Sequence, residues 1–239
     1  MSRLTLLILS LTFFPSCSHV PTTSQPEDPI ALAQAAFLFV EIKHGRLCEG
    51  EENCSPDIFG LSGSGFLVDY DGNGGMFAIT AAHSCNSPFK ESVSLIQVTS
   101  YDGVRRDAYV VESVTEFDIC ILHVPKINRP FLPLAQRAPR IGEPVFTVSA
   151  PLGIFSAGAL LMFKGYSSGA MSKVISGYTI PSASGSSGSP ILNERGEVVG
   201  MTSAKMKGFE NFCLSPHYNL LKIIYGTLSS IKLDSSSDL

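Results

Sequence analysis

Residues 185–190 read Gly185-Ser186-Ser187-Gly188-Ser189-Pro190 and stand between two runs of strand composition, Val174 to Tyr178 and Pro190 to Leu192. Alone, the hexapeptide is a polar, turn-forming stretch of small residues. Its neighbours give it meaning. Upstream, Thr80-Ala81-Ala82-His83 closes one apolar run and Phe117-Asp118-Ile119 opens another. Strand-like segments recur at short intervals around these points: Gly65 to Val68, Met76 to Thr80, Ser92 to Thr99, Ala108 to Val114 and Ile119 to Val124. Turn signals such as Asp71-Gly72-Asn73-Gly74 and Asp102-Gly103 separate them. The rhythm predicts an all-β barrel or sandwich.

A second series follows through Val145 to Val148, Ala159 to Tyr166, Val174 to Tyr178, Pro190 to Leu192, Val198 to Ser203 and Asn211 to Leu214. Between the two series, Pro125, Pro130, Pro133 and Pro139 forbid regular helix or central strand and mark a crossover over residues 125–140. Tyr218, Leu220, Leu221, Ile224, Tyr225 and Leu228 have helical spacing and predict a closing helix over 217–229. Ahead of the first strand, Ile30 to Ile42 reads as a short helix or coil running into a β-type segment.

His83, Asp118 and Ser187 occur in that order, each beside a strand. A serine hydroxyl is a poor nucleophile near neutral pH. Acyl transfer therefore needs an imidazole to take its proton and a carboxylate to fix the imidazole's tautomer. Asp102 and Asp107 also lie between His83 and Ser187, but in a charged, turn-like stretch that suits solvated roles; Asp118 opens an apolar strand, where a lone carboxylate needs a partner. His44, His123 and His217 have no comparable neighbourhood.

The charge balance narrows the partners. A net charge of −4 without a basic run lacks the footprint of a nucleic-acid binder. No cofactor motif occurs, and no His or Cys cluster has metal-ligand spacing. Met1-Ser2-Arg3 followed by the apolar run Leu4 to Phe14 reads as an export signal, too short for a permanent span. Two processing readings stand. Phe14-Pro15-Ser16-Cys17 resembles a lipoprotein box, with Cys17 as the lipidation site, and Ser16-Cys17-Ser18 suits an ordinary signal peptidase. Residues 18–29 read as a disordered tether. Once Cys17 is set aside five cysteines remain. Cys120 and Cys213, inside apolar runs, read as buried thiols, which leaves Cys48, Cys54 and Cys85 for one bridge.

Ser62-Gly63-Ser64-Gly65-Phe66-Leu67-Val68, Ile79-Thr80-Ala81-Ala82-His83 and Glu116-Phe117-Asp118-Ile119-Cys120-Ile121-Leu122 resemble the trypsin-like serine peptidases. Gly185 to Pro190, Gly196 to Thr202 and Phe212 to Pro216 are similar to the bacterial glutamyl-endopeptidase and HtrA-like branches, without sequence for a PDZ domain. The resemblance implies two six-stranded antiparallel β-barrels with a short C-terminal helix. Barrel 1 would cover about 36–124, the linker 125–140 and barrel 2 about 141–215, within a protease domain of residues 30–232 followed by a frayed tail of 233–239. It implies His83 as general base, Asp118 as its orienter, Ser187 as nucleophile, and the backbone N–H groups of Gly185 and Ser187 as oxyanion hole. Pro181, Ser182, Thr202, Ser203 and Ala204 would line the specificity pocket. Pro181 stands where trypsins place an aspartate and Thr202 where glutamyl endopeptidases place a histidine, so a small or medium uncharged side chain is expected there. No activation end of the Ile-Val-Gly-Gly type is visible.

The expected activity is serine-type endopeptidase, a hydrolase acting by proteolysis on protein or peptide substrates outside the cytoplasm, secreted, periplasmic or lipid-anchored at a membrane surface. The competing reading from a different class is a catalytically silent surface binding module on the same fold.

Overall fold

The computed structural model describes residues 27–48, 57–90, 92–206 and 208–235. The export signal, Cys17, most of the expected tether, Cys54 and the last residues of the expected tail lie outside them.

Asp28 caps the first helix, α1 (Pro29–Ala36), by accepting from the Ile30 N–H at 3.0 Å, and Pro29 takes the first turn, where no donor is needed. The chain then turns directly into β1 (Phe37–Arg46), followed by β2 (Ile58–Tyr70), β3 (Met76–Thr80), a four-residue turn of helix α2 (Ala82–Cys85), β4 (Ser92–Ser100), β5 (Arg105–Val114) and β6 (Ile119–Val124). These six strands close into an antiparallel barrel in the order β1-β2-β3-β6-β5-β4. Leu38, Val40 and Ile42 point inward with the period of two that a half-buried strand requires, and every residue of β3 is buried.

His44 continues the inward row of β1 and is wholly buried. Its ring meets the Ser94 hydroxyl at 2.7 Å and the Ser84 carbonyl at 3.1 Å, so both nitrogens are satisfied. One of the three histidines without an evident role in the sequence is thus a strut beneath α2.

Residues 125–143 pass from one half to the other, tied by Leu132 N–H to Leu67 O at 2.9 Å and by Ala135 N–H to Val198 O at 3.0 Å. The second half is a curled sheet of β7 (Pro144–Ser149), β8 (Leu161–Ala170), β9 (Ile175–Tyr178), β10 (Pro190–Leu192), β11 (Val198–Met201), β12 (Ala204–Met206) and β13 (Phe209–Pro216), in the order β11-β10-β7-β8-β9-β13-β12. The fold is the two-barrel, chymotrypsin-like arrangement, with β12 as a short extra strand. The closing helix α3 (Tyr218–Ser235) buries Tyr218, Leu221 and Leu228, and its Tyr225 hydroxyl donates to Leu132 O at 2.9 Å.

The cysteines correct one expectation. Cys120 is not a free thiol: it is bonded to Cys85, with Cα atoms 6.5 Å apart. The cause is topological, because β3 pairs with β6 so that Thr80 faces Cys120, and α2, which begins just after β3, lays Cys85 over that position. Cys48 is also disulfide-bonded. Cys213 is a buried free thiol as expected, and burial pushes it up to about 12.

Candidate active site

The site forms where the end of β3, the start of β6 and the turn before β10 meet. His83 sits in α2, immediately beyond β3. Asp118 follows a single 3₁₀ turn over Thr115–Phe117 and takes a left-handed conformation, φ 54°, which Asp and Asn tolerate better than other residues with a side chain. That corner turns its carboxylate toward α2. Both carboxylate oxygens lie 3.0 Å from His83 Nδ1, and Oδ1 also accepts the His83 backbone N–H at 2.8 Å. With Nδ1 occupied by the carboxylate, Nε2 is the ring nitrogen left to receive a proton.

Ser203 Oγ donates to Asp118 Oδ2 from the other half of the molecule. The sequence had assigned Ser203 to the specificity pocket alone. Burial works against the charged form of Asp118, but the hydrogen bonds from His83 and Ser203 outweigh it and hold the carboxyl below its ordinary range. The hydrogen bond to Asp118 raises His83 above the usual histidine value.

Ser187 lies at the centre of a tight turn with Gly185 at φ 90° and Gly188 at φ 85°. At both positions a side chain is excluded by space as well as by φ. A Cβ on Gly188 would lie 2.0 Å from Ser64 O, and one on Gly185 2.5 Å from Ala150 O. The Ser186 N–H is used inside the turn, on Ala183 O at 2.9 Å, and the Gly188 N–H on Thr202 O at 2.7 Å. The N–H groups of Gly185 and Ser187 meet no acceptor among the described residues. The Ser187 hydroxyl is turned toward Ser203 O at 3.4 Å.

Residues 63–201 match the family model described as Trypsin-like peptidase domain, a span of more than half the chain. The chain belongs to the trypsin-like peptidases. The serine endoprotease from Yersinia pestis is similar in fold, with a TM-score of 0.63 at 19% identity over 87% of this chain and 67% of that one. No curated protein sequence matches.

Beside Ser187 this trypsin-like peptidase has a cavity of about 190 Å³ lined by Ser182, Ala183, Ser184, Ser203, Ala204 and Lys205. Of the residues expected to line a specificity pocket, Ser182, Ser203 and Ala204 are on this lining. Pro181 and Thr202 are not on the lining. Thr202 is buried, with its hydroxyl on Cys213. Lys205, which the sequence reading did not single out, is the one charged residue on the lining; it belongs to β12, the strand that composition failed to reveal. Among the described residues no cluster of His, Cys, Asp and Glu is arranged to hold a metal ion, and no helix is long and apolar enough to cross a membrane.

Proposed function

We propose that this peptidase is a serine endopeptidase that hydrolyses peptide bonds through His83, Asp118 and Ser187. The observation that carries the reading is the placement of Asp118, whose two oxygens both face His83 Nδ1 while its backbone corner and Ser203 fix its direction.

In the proposed reaction, the Ser187 hydroxyl leaves Ser203 O, rotates toward His83 Nε2 and attacks the scissile carbonyl as its proton passes to the imidazole. Asp118 stabilises the imidazolium that results. The carbonyl oxygen becomes an oxyanion held by the Gly185 and Ser187 N–H groups, an electrostatic contribution of about 3–4 kcal/mol per donor. Collapse expels the amine, which takes the proton from His83 and leaves an acyl group on Ser187. Water then repeats the sequence with His83 as base and frees the acid.

The cavity beside Ser187 is small and rimmed by hydroxyls, which favours a compact side chain. The Cys85–Cys120 bond suits an oxidising compartment and supports action outside the cytoplasm. A lipid on Cys17 remains the proposed anchor at a membrane surface, and an unmodified amino terminus in the mass spectrum of membrane-associated protein would eliminate it.

The Ser187 hydroxyl resting on Ser203 O is what favours the silent binding module. Hydrolysis of an unfolded protein substrate separates the readings. The proposal expects the native chain to cleave it and Ser187→Ala and His83→Ala to leave it intact; equal residual hydrolysis in all three would remove the proposed mechanism.

A further inference from the structure

We infer that Ser64 is a positioning residue for the oxyanion-binding turn: from barrel 1 it orients the backbone around Gly185, in barrel 2, so that the Gly185 N–H faces the reacting carbonyl. The inference rests on the proposed peptidase reading and adds a residue to it.

Ser64 is wholly buried in β2, where a polar side chain needs partners, and its polar groups converge on the nucleophile turn. Its N–H donates to Ser187 O at 2.9 Å. Its hydroxyl donates to Gly185 O at 2.9 Å and accepts the Ala150 N–H at 3.1 Å. Its carbonyl accepts from Thr80 Oγ1 at 2.8 Å and packs so closely on Gly188 that no Cβ fits between them.

The consequence follows from peptide planarity. In a trans peptide the carbonyl and the following N–H point in opposite directions, so fixing one aims the other. Ser184 O is held by the Leu152 N–H at 2.5 Å, and this aims the Gly185 N–H the opposite way, where it meets no acceptor among the described residues. Gly185 O is held by Ser64, and the next N–H, that of Ser186, points oppositely to Ala183 O. A flip of the Ser184–Gly185 peptide would present a carbonyl to the developing oxyanion, and it is opposed at both ends. Ser64 also supports the first restraint. By accepting from Ala150 it anchors the Pro151–Gly153 turn, in which Leu152 adopts φ 55°, a left-handed conformation that a leucine keeps only when its surroundings hold it.

Ser64→Ala removes the hydroxyl and leaves Gly185 O and the Ala150 N–H without it. The matched control is Ser215→Ala, because Ser215 is also buried and bridges Met201 N–H to Pro216 O with the same kind of bonds, neither of them made to Gly185 or Ser187. For Ser64→Ala the expected result is a kcat lower by about 10- to 100-fold with KM within about twofold, and a matching loss of affinity for a peptide boronic acid, which mimics the tetrahedral state. The pH midpoint of kcat/KM should stay in place, since His83 and Asp118 are untouched. Ser215→Ala should lose comparable thermal stability and keep kcat within about twofold. If Ser64→Ala does not fold, Ser64→Cys, a weaker donor, should show the same split at smaller size. A kcat in the Ser64 variant equal to that of Ser215→Ala overturns the inference. Activity surviving in Ser187→Ala would instead overturn the peptidase reading beneath it.

Discussion

Cys85, in α2, is bonded to Cys120, in β6, each two residues beyond His83 and Asp118, so that the sequence separation is 35 in both pairs. The disulfide therefore covalently fixes α2 to β6 beside the His83–Asp118 hydrogen bonds. A bridge of this kind stabilises by about 2–4 kcal/mol. The double variant Cys85→Ala with Cys120→Ala should lower the melting temperature and, through looser His83–Asp118 geometry, lower kcat/KM by about tenfold. Thermal melts and peptide hydrolysis below the melting range check this; a stability loss with unchanged kcat/KM would show that the bridge serves the fold alone.

A general base must be neutral to accept a proton. Because the Asp118 hydrogen bond raises His83 above 6.5, kcat/KM should rise with pH through a midpoint above that value. Stability runs the other way. The raised His83 contributes fully below 6.5 and loses its contribution as pH climbs through its folded value. The lowered Asp118 contributes fully above 3.8 and loses its contribution as pH falls through its folded value. The pair thus stabilises most between 3.8 and 6.5, below the pH of greatest activity, and melting temperature against pH for native protein and Asp118→Asn should differ most in that window.

Asp118→Asn keeps the shape but offers His83 no charge. Its kcat should fall by about 10³- to 10⁴-fold and the acid midpoint should move down. Ser203→Ala removes one of the bonds that aim the carboxylate and should cost about tenfold in kcat with little change in KM. Steady-state kinetics across pH reads both effects.

Gly188→Ala would force a Cβ to within 2.0 Å of Ser64 O at φ 85°. Neither group is the end of a flexible side chain, so the backbone must move, at a cost of about 2–4 kcal/mol. The midpoint of a denaturant titration reports it.

Lys205 sits on the lining of the cavity beside Ser187. Peptides with lysine or arginine before the cut should be poor substrates, and Lys205→Gln should improve them relative to alanine or threonine peptides. A set of chromogenic peptides differing only at that residue measures the ratio.

Much of this arrangement is written locally in the chain. β3 and β6 have the limits their apolar, β-branched runs predict, and His83 and Asp118 flank those limits, so the order of chemistry-bearing residues could be read directly. Strand neighbours could not. Nothing in the composition of residues 82–85 and 119–122 says that β3 pairs with β6, and that pairing is what brings Cys85 to Cys120. Ser203 meets Asp118 from 85 residues away, and Ser64 meets Gly185 from 121. Both contacts cross between the halves, where periodicity carries no signal. β2 begins at Ile58, well before the predicted Gly65, because Gly60 to Ser64 is held by pairing with β1 rather than by strand-forming side chains.

The most direct test of the central claim is covalent. A fluorophosphonate probe incubated with the purified protein should give a single adduct, mapped by peptide mass spectrometry to Ser187. Labelling should be abolished in Ser187→Ala and slowed by orders of magnitude in His83→Ala. An adduct on another residue, or equal labelling of native protein and Ser187→Ala, would contradict the assignment of Ser187 as the nucleophile.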